Sequence, residues 1–432
     1  MAISKSHQPR WERVNEKQAA VVVGIWLLTL PLPSPLSGPA GTKEIGIWSS
    51  TLKVAKVEQF YPAQRTRLVK ITTDNGIVGW GESTLEGKAR SGIAAVQEIA
   101  DYLIGKDPLR IEHHWQHVYR SAFFRGGAIL MSALSGVDQA LWDIAGKHFN
   151  VPVYQLMGGA TRDRIRVYAH WGIGDLSDEG LAKSRTRLDA LVKKGGYKAF
   201  KAGPAGKWRA QEPPSRIDQF VKAAFLMREW VGPDVEIAFD FHAKMTPGLA
   251  IEVCNEIKGM RPMFVEEPVP QENAEAMKQV SDHVTFPIAT GERLLTRWEF
   301  RPLFEIGAVS LIQPDVSHAG GISETKRIAN MAEPYYVHIM PHCAIGPVAF
   351  ASCMQVDASV PNFLIQEQAD ACLGEGMLEQ PWVVKDGHID LPKRPGLGFE
   401  INERAAQKML NVYPEELGGE HFHENDGSVA DW

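Results

Sequence analysis

The chain has 432 residues, 44% of them hydrophobic and 23% charged, with a formal net charge of −6. That composition suits a soluble globular body with one large core or two moderate ones, and excludes disorder across the whole chain. The negative balance, with no Lys/Arg-rich run, argues against a nucleic-acid surface and leaves a small molecule as the expected partner.

Residues 19–31 form an apolar run behind Arg13 and Lys17, followed by a Pro/Ser/Gly-rich stretch to Gly41. The run resembles the apolar part of a signal peptide, and about a dozen residues are too few for a secure membrane span. Residues 1–50 are therefore expected to be a disordered or targeting-like extension, or to reflect a start site placed too far upstream, and to be dispensable to the catalytic body. From residue 51 the pattern becomes regular. Leu52–Gln59, Thr66–Thr73 and Ile77–Glu82 read as strands, with Asp74-Asn75-Gly76 as a hairpin turn. Ser91–Leu103, Leu109–Tyr119 and Ala128–Lys147 carry apolar residues at helical period, among them Leu130, Leu134, Val137, Leu141 and Ile144. Residues 51–160 thus read as an α+β capping domain.

After Gly158-Gly159, strand-like runs alternate with helical stretches: Ile165–Ala169, Ala199–Ala202, Val235–Asp240, Met263–Glu267, Phe286–Thr290, Val309–Gln313, Val337–Met340 and Phe363–Gln366. Eight such runs over 161–380 predict an α/β fold, a (β/α)8-type (modified TIM) barrel, with the active site at the carboxyl ends of the strands. The segment 381–432 is expected to pack back on the capping domain and to end in a loose acidic tail. The cysteines at 254, 343, 353 and 372 lack CxxC spacing and fall in apolar segments. They read as buried reduced thiols, and with no disulfide framework the body looks cytoplasmic.

Three carboxylates recur at one interval of 26 residues: Asp240, Glu266 and Glu292. Each closes a strand-like run, so equal spacing places them at one level of the barrel mouth, where three hard oxygen ligands suit Mg²⁺. Glu267 points the other way from Glu266 and is assigned a supporting role. His242 lies two residues beyond Asp240 and, if the strand continues, faces the same way. His342 ends the seventh strand, and Asp315, ending the sixth, could hold its imidazole in one tautomer and raise its basicity. Glu367 ends the eighth strand and could hydrogen-bond a developing enolate oxygen if its pKa is raised. Lys201 ends the second strand as a possible second basic group. His170, His318 and His338 have no such support and read as structural.

Together these motifs resemble the enolase superfamily, mandelate racemase subgroup, and within it the sugar-acid dehydratases of the galactonate type. The likeness runs from about residue 52 to 410 and includes Gly79-Trp80-Gly81-Glu82, Phe123-Phe124-Arg125-Gly126-Gly127, Gln139 to Gly146, Gly291-Glu292-Arg293, Ser317 to Ile322 and Gln366-Glu367-Gln368. The resemblance implies Mg²⁺ on Asp240, Glu266 and Glu292, His342 as general base with Asp315 as its partner, His242 as general acid, and Glu367 on the enolate side. It implies loss of the C2 proton and the C3 hydroxyl of an aldonate to give a 2-keto-3-deoxy acid, and a homo-oligomeric state. Racemases of the subgroup carry Lys-x-Lys where this chain has Lys201-Ala202-Gly203, which puts two-base racemisation in doubt. The alternatives are an epimerase or cycloisomerase using Lys201, and a metal-binding or structural protein without turnover. Substrate choice is expected to rest on loops between Gln59 and Arg65 and near Arg120–Arg125.

Overall fold

The computed structural model describes residues 52–63, 66–121, 123–204, 208–408 and 427–429. The expectations for residues 1–50 and for the tail beyond 408, apart from 427–429, fall outside them. Strands β1 (Val54–Ala63), β2 (Thr66–Thr73) and β3 (Val78–Glu82) form an antiparallel sheet in that order. Helices α1 (Ala89–Leu103), α2 (Ile111–Ser121) and α3 (Ala128–His148) follow, with one further helical turn, α4 (Val153–Leu156). Two glycines explain how the sheet meets α3. A Cβ on Gly79 would lie 2.1 Å from the Ala140 carbonyl oxygen, and one on Gly81 would lie 1.8 Å from that of Gly136. Only a bare backbone permits so close an approach of strand to helix.

The barrel alternates β4 (Arg164–His170), α5 (Asp178–Gly195), β5 (Ala199–Ala202), α6 (Pro214–Val231), β6 (Glu236–Asp240), α7 (Pro247–Ile257), β7 (Val265–Glu266), α8 (Ala274–Asp282), β8 (Ile288–Thr290), α9 (Thr296–Glu305), β9 (Leu311–Ile312), α10 (Gly321–Ala332), β10 (His338–Ile339), α11 (Pro347–Ser359) and β11 (Gln366–Gln368). The strands pair in parallel in the order β10-β9-β8-β7-β6-β5-β4-β11. A parallel bridge between Ile339 and Phe363 closes the ring, with Ile339 N donating to Asn362 O and Leu364 N to Ile339 O, each at 3.0 Å. The eighth strand is therefore bridged at its start, Phe363, and paired with β4 only further on, from Gln366. In place of an eighth helix, β11 runs into a 3₁₀ turn, Asp370–Leu373. Strand β12 (His388–Asp390) then pairs antiparallel with the start of β4. Beyond it the chain reaches the capping domain, where Leu397 N donates to Asp143 and Glu403 meets Lys70.

One side chain from every barrel strand or its immediate edge fills the interior: Tyr168, Ala199, Ala238, Phe264, Ala289, Leu311, Met340 and Ile365. Three alanines leave room for the rings of Tyr168 and Phe264, which meet edge-on at 6.1 Å between centroids. Packing of this kind is a plugged core rather than a pore. Removing the Phe264 ring would cost about 3–5 kcal/mol. All four cysteines are buried and free of disulfides, as their apolar settings predict. No helix among the described residues is long and apolar enough to cross a membrane.

Candidate active site

Side chains two residues apart on a strand share a face, so the residue two beyond each member of the interior plug points into the barrel mouth. That step leads from Tyr168 to His170, Ala199 to Lys201, Ala238 to Asp240, Phe264 to Glu266, Met340 to His342 and Ile365 to Glu367. Strand β8 breaks the pattern. Asp240 and Glu266 are register partners, but Glu266 pairs with Ala289, three residues before Glu292. The equal intervals of 26 are therefore not equal register. Gly291, at φ +144°, ends the strand and turns Glu292 inward. A Cβ there would lie 2.9 Å from Gln313 N.

The turn succeeds: one carboxylate oxygen each from Asp240, Glu266 and Glu292 lie within 4.8 Å of one another. Three hard oxygens at that spacing suit one divalent cation better than softer chemistry would. Lys201 Nζ reaches two of these acids, 3.2 Å from Asp240 and 3.0 Å from Glu266, and lies 2.6 Å from Glu367. Burial alone would lower the Lys201 pKa, but Glu266, Glu367 and Asp240 hold it well above its usual value. Burial, with the negative charge of Asp240, pushes Glu266 well up, and a cation beside it would favour its ionised form. Glu267 turns away at φ +41° and pairs with Arg293. Burial and Glu292 raise its pKa to about 8.

His342 Nδ1 lies 2.6 Å from Asp315 Oδ2, and its Nε2 lies 3.0 Å from Glu292 and 3.7 Å from Glu367. Burial disfavours the imidazolium, but Glu292, Glu367 and Asp315 outweigh it and hold the pKa well above the ordinary histidine value. Asp315 is itself fixed by Ser317 N at 2.6 Å. His242 is not on a continued strand: β6 stops at Asp240, and His242 has φ +46°. It reaches the site because its N–H donates to Asp240 Oδ1 at 2.9 Å and its Nε2 returns to Asp240 Oδ2 at 2.8 Å. A local turn on the aspartate does what strand continuation was expected to do.

Glu367 departs from expectation. Burial pushes its pKa up, but Lys201, His342 and His170 hold it well below the usual carboxylate value, so in this arrangement it is ionised rather than a neutral acid. His170, read from sequence as structural, lies 2.6 Å from Glu367 Oε1 and lines the mouth cavity of about 510 Å³ with Lys201, Asp240 and His242. The signal that could have found it is its place two residues past Tyr168. His318 does hold structure, bonding Ser132 of the capping domain at 2.8 Å. His338 is exposed at the start of β10, away from the mouth. Of the loops expected to select the substrate, Gln64, Arg65 and Ala122 fall outside the described residues, and Phe123 and Phe124 are largely exposed.

Residues 183–405 match the enolase C-terminal domain-like family, and residues 57–158 match the mandelate racemase / muconate lactonizing enzyme N-terminal domain. The chain belongs to the mandelate racemase subgroup of the enolase superfamily. It is 40% identical to a D-galactonate dehydratase of Pectobacterium atrosepticum over 389 residues, which is 88% of this chain and all of that protein. A D-galactonate dehydratase of Ralstonia pickettii is 39% identical over the same shares. Among solved structures, an enolase from Agrobacterium radiobacter holding sodium and L-malate superposes with a TM-score of 0.80 at 32% identity, covering 88% of this chain and 100% of that one. A mandelate racemase/muconate lactonizing enzyme from Sulfitobacter sp. gives 0.78 at 33% identity, covering 84% and 97%.

Proposed function

We propose that the protein is a Mg²⁺-dependent dehydratase of a D-galactonate-like aldonate, a hydro-lyase yielding a 2-keto-3-deoxy acid. The observation that carries this reading is the His342–Asp315 pair beside three converging carboxylates, in a chain similar over its whole catalytic body to D-galactonate dehydratases. The reading divides the work between a capping domain over 51–160 and a barrel over 161–380, with 381–432 packing back on the cap. It also takes the enzyme to be a cytoplasmic homo-oligomer acting on a small molecule, not on nucleic acid.

Asp240, Glu266 and Glu292 would hold the divalent ion, which when bound would supply Lewis acidity at the substrate carboxylate and offset the Glu292 charge that raises the His342 pKa. His342 Nε2 then takes the C2 proton while Nδ1 keeps its hydrogen bond to Asp315, which fixes the tautomer and favours the imidazolium formed. Lys201 and Glu367, in contact, supply a donor toward the charge developing on the enediolate. His242 passes a proton to the C3 hydroxyl, which leaves as water, and the enol tautomerises to the ketone. Gly203 provides no second lysine, so a proton cannot be returned to the opposite face by the route a racemase uses.

Incubation with a panel of aldonates and Mg²⁺, assayed for 2-keto acid, tests the reading. Product from a galactonate-type substrate is expected. An epimer or lactone product, or none from any aldonate, would overturn it.

A further inference from the structure

We propose that His170 is a positioning residue for Glu367, holding its carboxylate between Lys201 and His342. The inference rests on the dehydratase reading for its kinetic consequence but not for its geometry. Strand β4 lies between β5 and β11, and His170 is the register partner of Lys201 on one side while Tyr168 is that of Glu367 on the other. From that strand end the His170 ring reaches Glu367. Its Nε2 lies 2.6 Å from Glu367 Oε1, donating to a carboxylate that also accepts from Lys201 at 2.6 Å and, through Oε2, from Cys343 N at 2.9 Å.

These three holds are not equivalent. Lys201 divides its hydrogen bonds among Glu266, Asp240 and Glu367, so any cation or substrate carboxylate entering the site competes for it. Cys343 N fixes the other oxygen and leaves rotation about the carboxyl axis resisted on one side only. The His170 contact lies on the Oε1 side, and the ring is braced on a strand rather than a loop. Its side chain is 41% exposed while that of Glu367 is fully buried, so the ring joins a buried acid to the open cavity. A group in this place keeps Glu367 aimed when Lys201 turns to the substrate, which predicts an effect on turnover rather than on substrate affinity.

Two amide replacements separate reach from polarity. In His170→Gln the amide nitrogen comes near the position of Nε2, whereas in His170→Asn it falls short of Glu367; both are polar and suit a half-exposed strand end. With Mg²⁺ and an aldonate that the unmodified enzyme dehydrates, His170→Asn should lower kcat and C2-proton exchange by about tenfold or more, with KM changed less than about threefold, and His170→Gln should stay within about threefold of the parent. Equal behaviour of the two variants, whether both active or both impaired, would overturn the proposal. Crystal structures supply a readout that needs no turnover: Glu367 should change rotamer in His170→Asn and keep it in His170→Gln. An unmoved Glu367 in both refutes the positioning role. A parent enzyme inert on every aldonate would instead refute the dehydratase reading, leaving the rotamers to decide on His170.

Discussion

Buried acids gather in two regions of this molecule, and their surroundings differ in kind. At the seam where the capping domain meets the barrel and the C-terminal segment, Glu82 accepts from Ala349 N at the start of α11, Asp138 from Ser323 N and Oγ, and Asp143 from Trp80 N, Leu397 N and Lys147. Each acid ends on donors of its own. At the mouth, Asp240, Glu266 and Glu367 share one ammonium. Seam acids are satisfied by the fold alone, and mouth acids are held together against their mutual repulsion. The same residue type, equally buried, serves as a fastener in one place and as a binding site for charge in the other, and what distinguishes the mouth acids is that, beside any donors of their own, they converge on one shared ammonium.

The largest effect that could break this contrast is expected from Glu266→Gln. It should abolish Mg²⁺ binding by calorimetry and lower turnover by at least about 10³-fold, roughly 4 kcal/mol of barrier, while leaving the unfolding midpoint unchanged or higher. A destabilised variant with intact turnover would make the mouth a fastener too. Next come the two histidines, each expected to cost about 10²–10⁴-fold in dehydration. His342→Asn should also lose C2-proton exchange with solvent, whereas His242→Asn should retain it; equal loss of exchange would mean the roles are wrongly divided.

Seam variants should behave the opposite way. Asp143→Ala strands the N–H groups of Trp80 and Leu397, and urea unfolding should show a loss of about 2–4 kcal/mol, with kcat per folded molecule within about twofold. The smallest effect concerns pH. Burial raises the pKa of Glu82 to about 8 from 4.5, so between these values the folded state binds more protons than the unfolded one. Stability from the protonated form is complete below about pH 4.5 and is lost as pH rises toward 8. The parent should therefore lose more stability than Glu82→Gln between pH 5 and 8.5; parallel stability curves would show that Glu82 does not titrate in this window.

Much of this was legible in the sequence because strand runs are short and apolar, with a titratable residue at or within two positions of their ends, a pattern that suits a plugged parallel barrel with a polar mouth. Asp240, Glu266, His342 and Glu367 all stand two residues past a plug side chain, so alternation alone points at them. Glu292 was found by an interval that does not reflect register, and its arrival depends on the φ of Gly291, a conformational detail that spacing does not encode. His242 reaches the site by a turn folded onto Asp240. His170 was passed over because its partner, Glu367, lies 197 residues away, on a strand brought alongside only by the circular order of the sheet. The ionised state of Glu367 was likewise hidden, since it depends on Lys201 and two imidazoles converging from three other strands.

That circular order has a further consequence, in the assembly of the chain. The ring is fastened between Ile339 and Phe363, and His342 and Glu367 stand just beyond either side of the join. Asp240, Glu266 and Lys201 are gathered by neighbouring strands and need no such closure. A partly folded chain with the ring open would hold these charged groups but not the pairing of His342 with Glu367. The approach of His342 to Glu367 is therefore tied to the topological completion of the barrel, so that an unfinished molecule gathers its charges on one side of the mouth only.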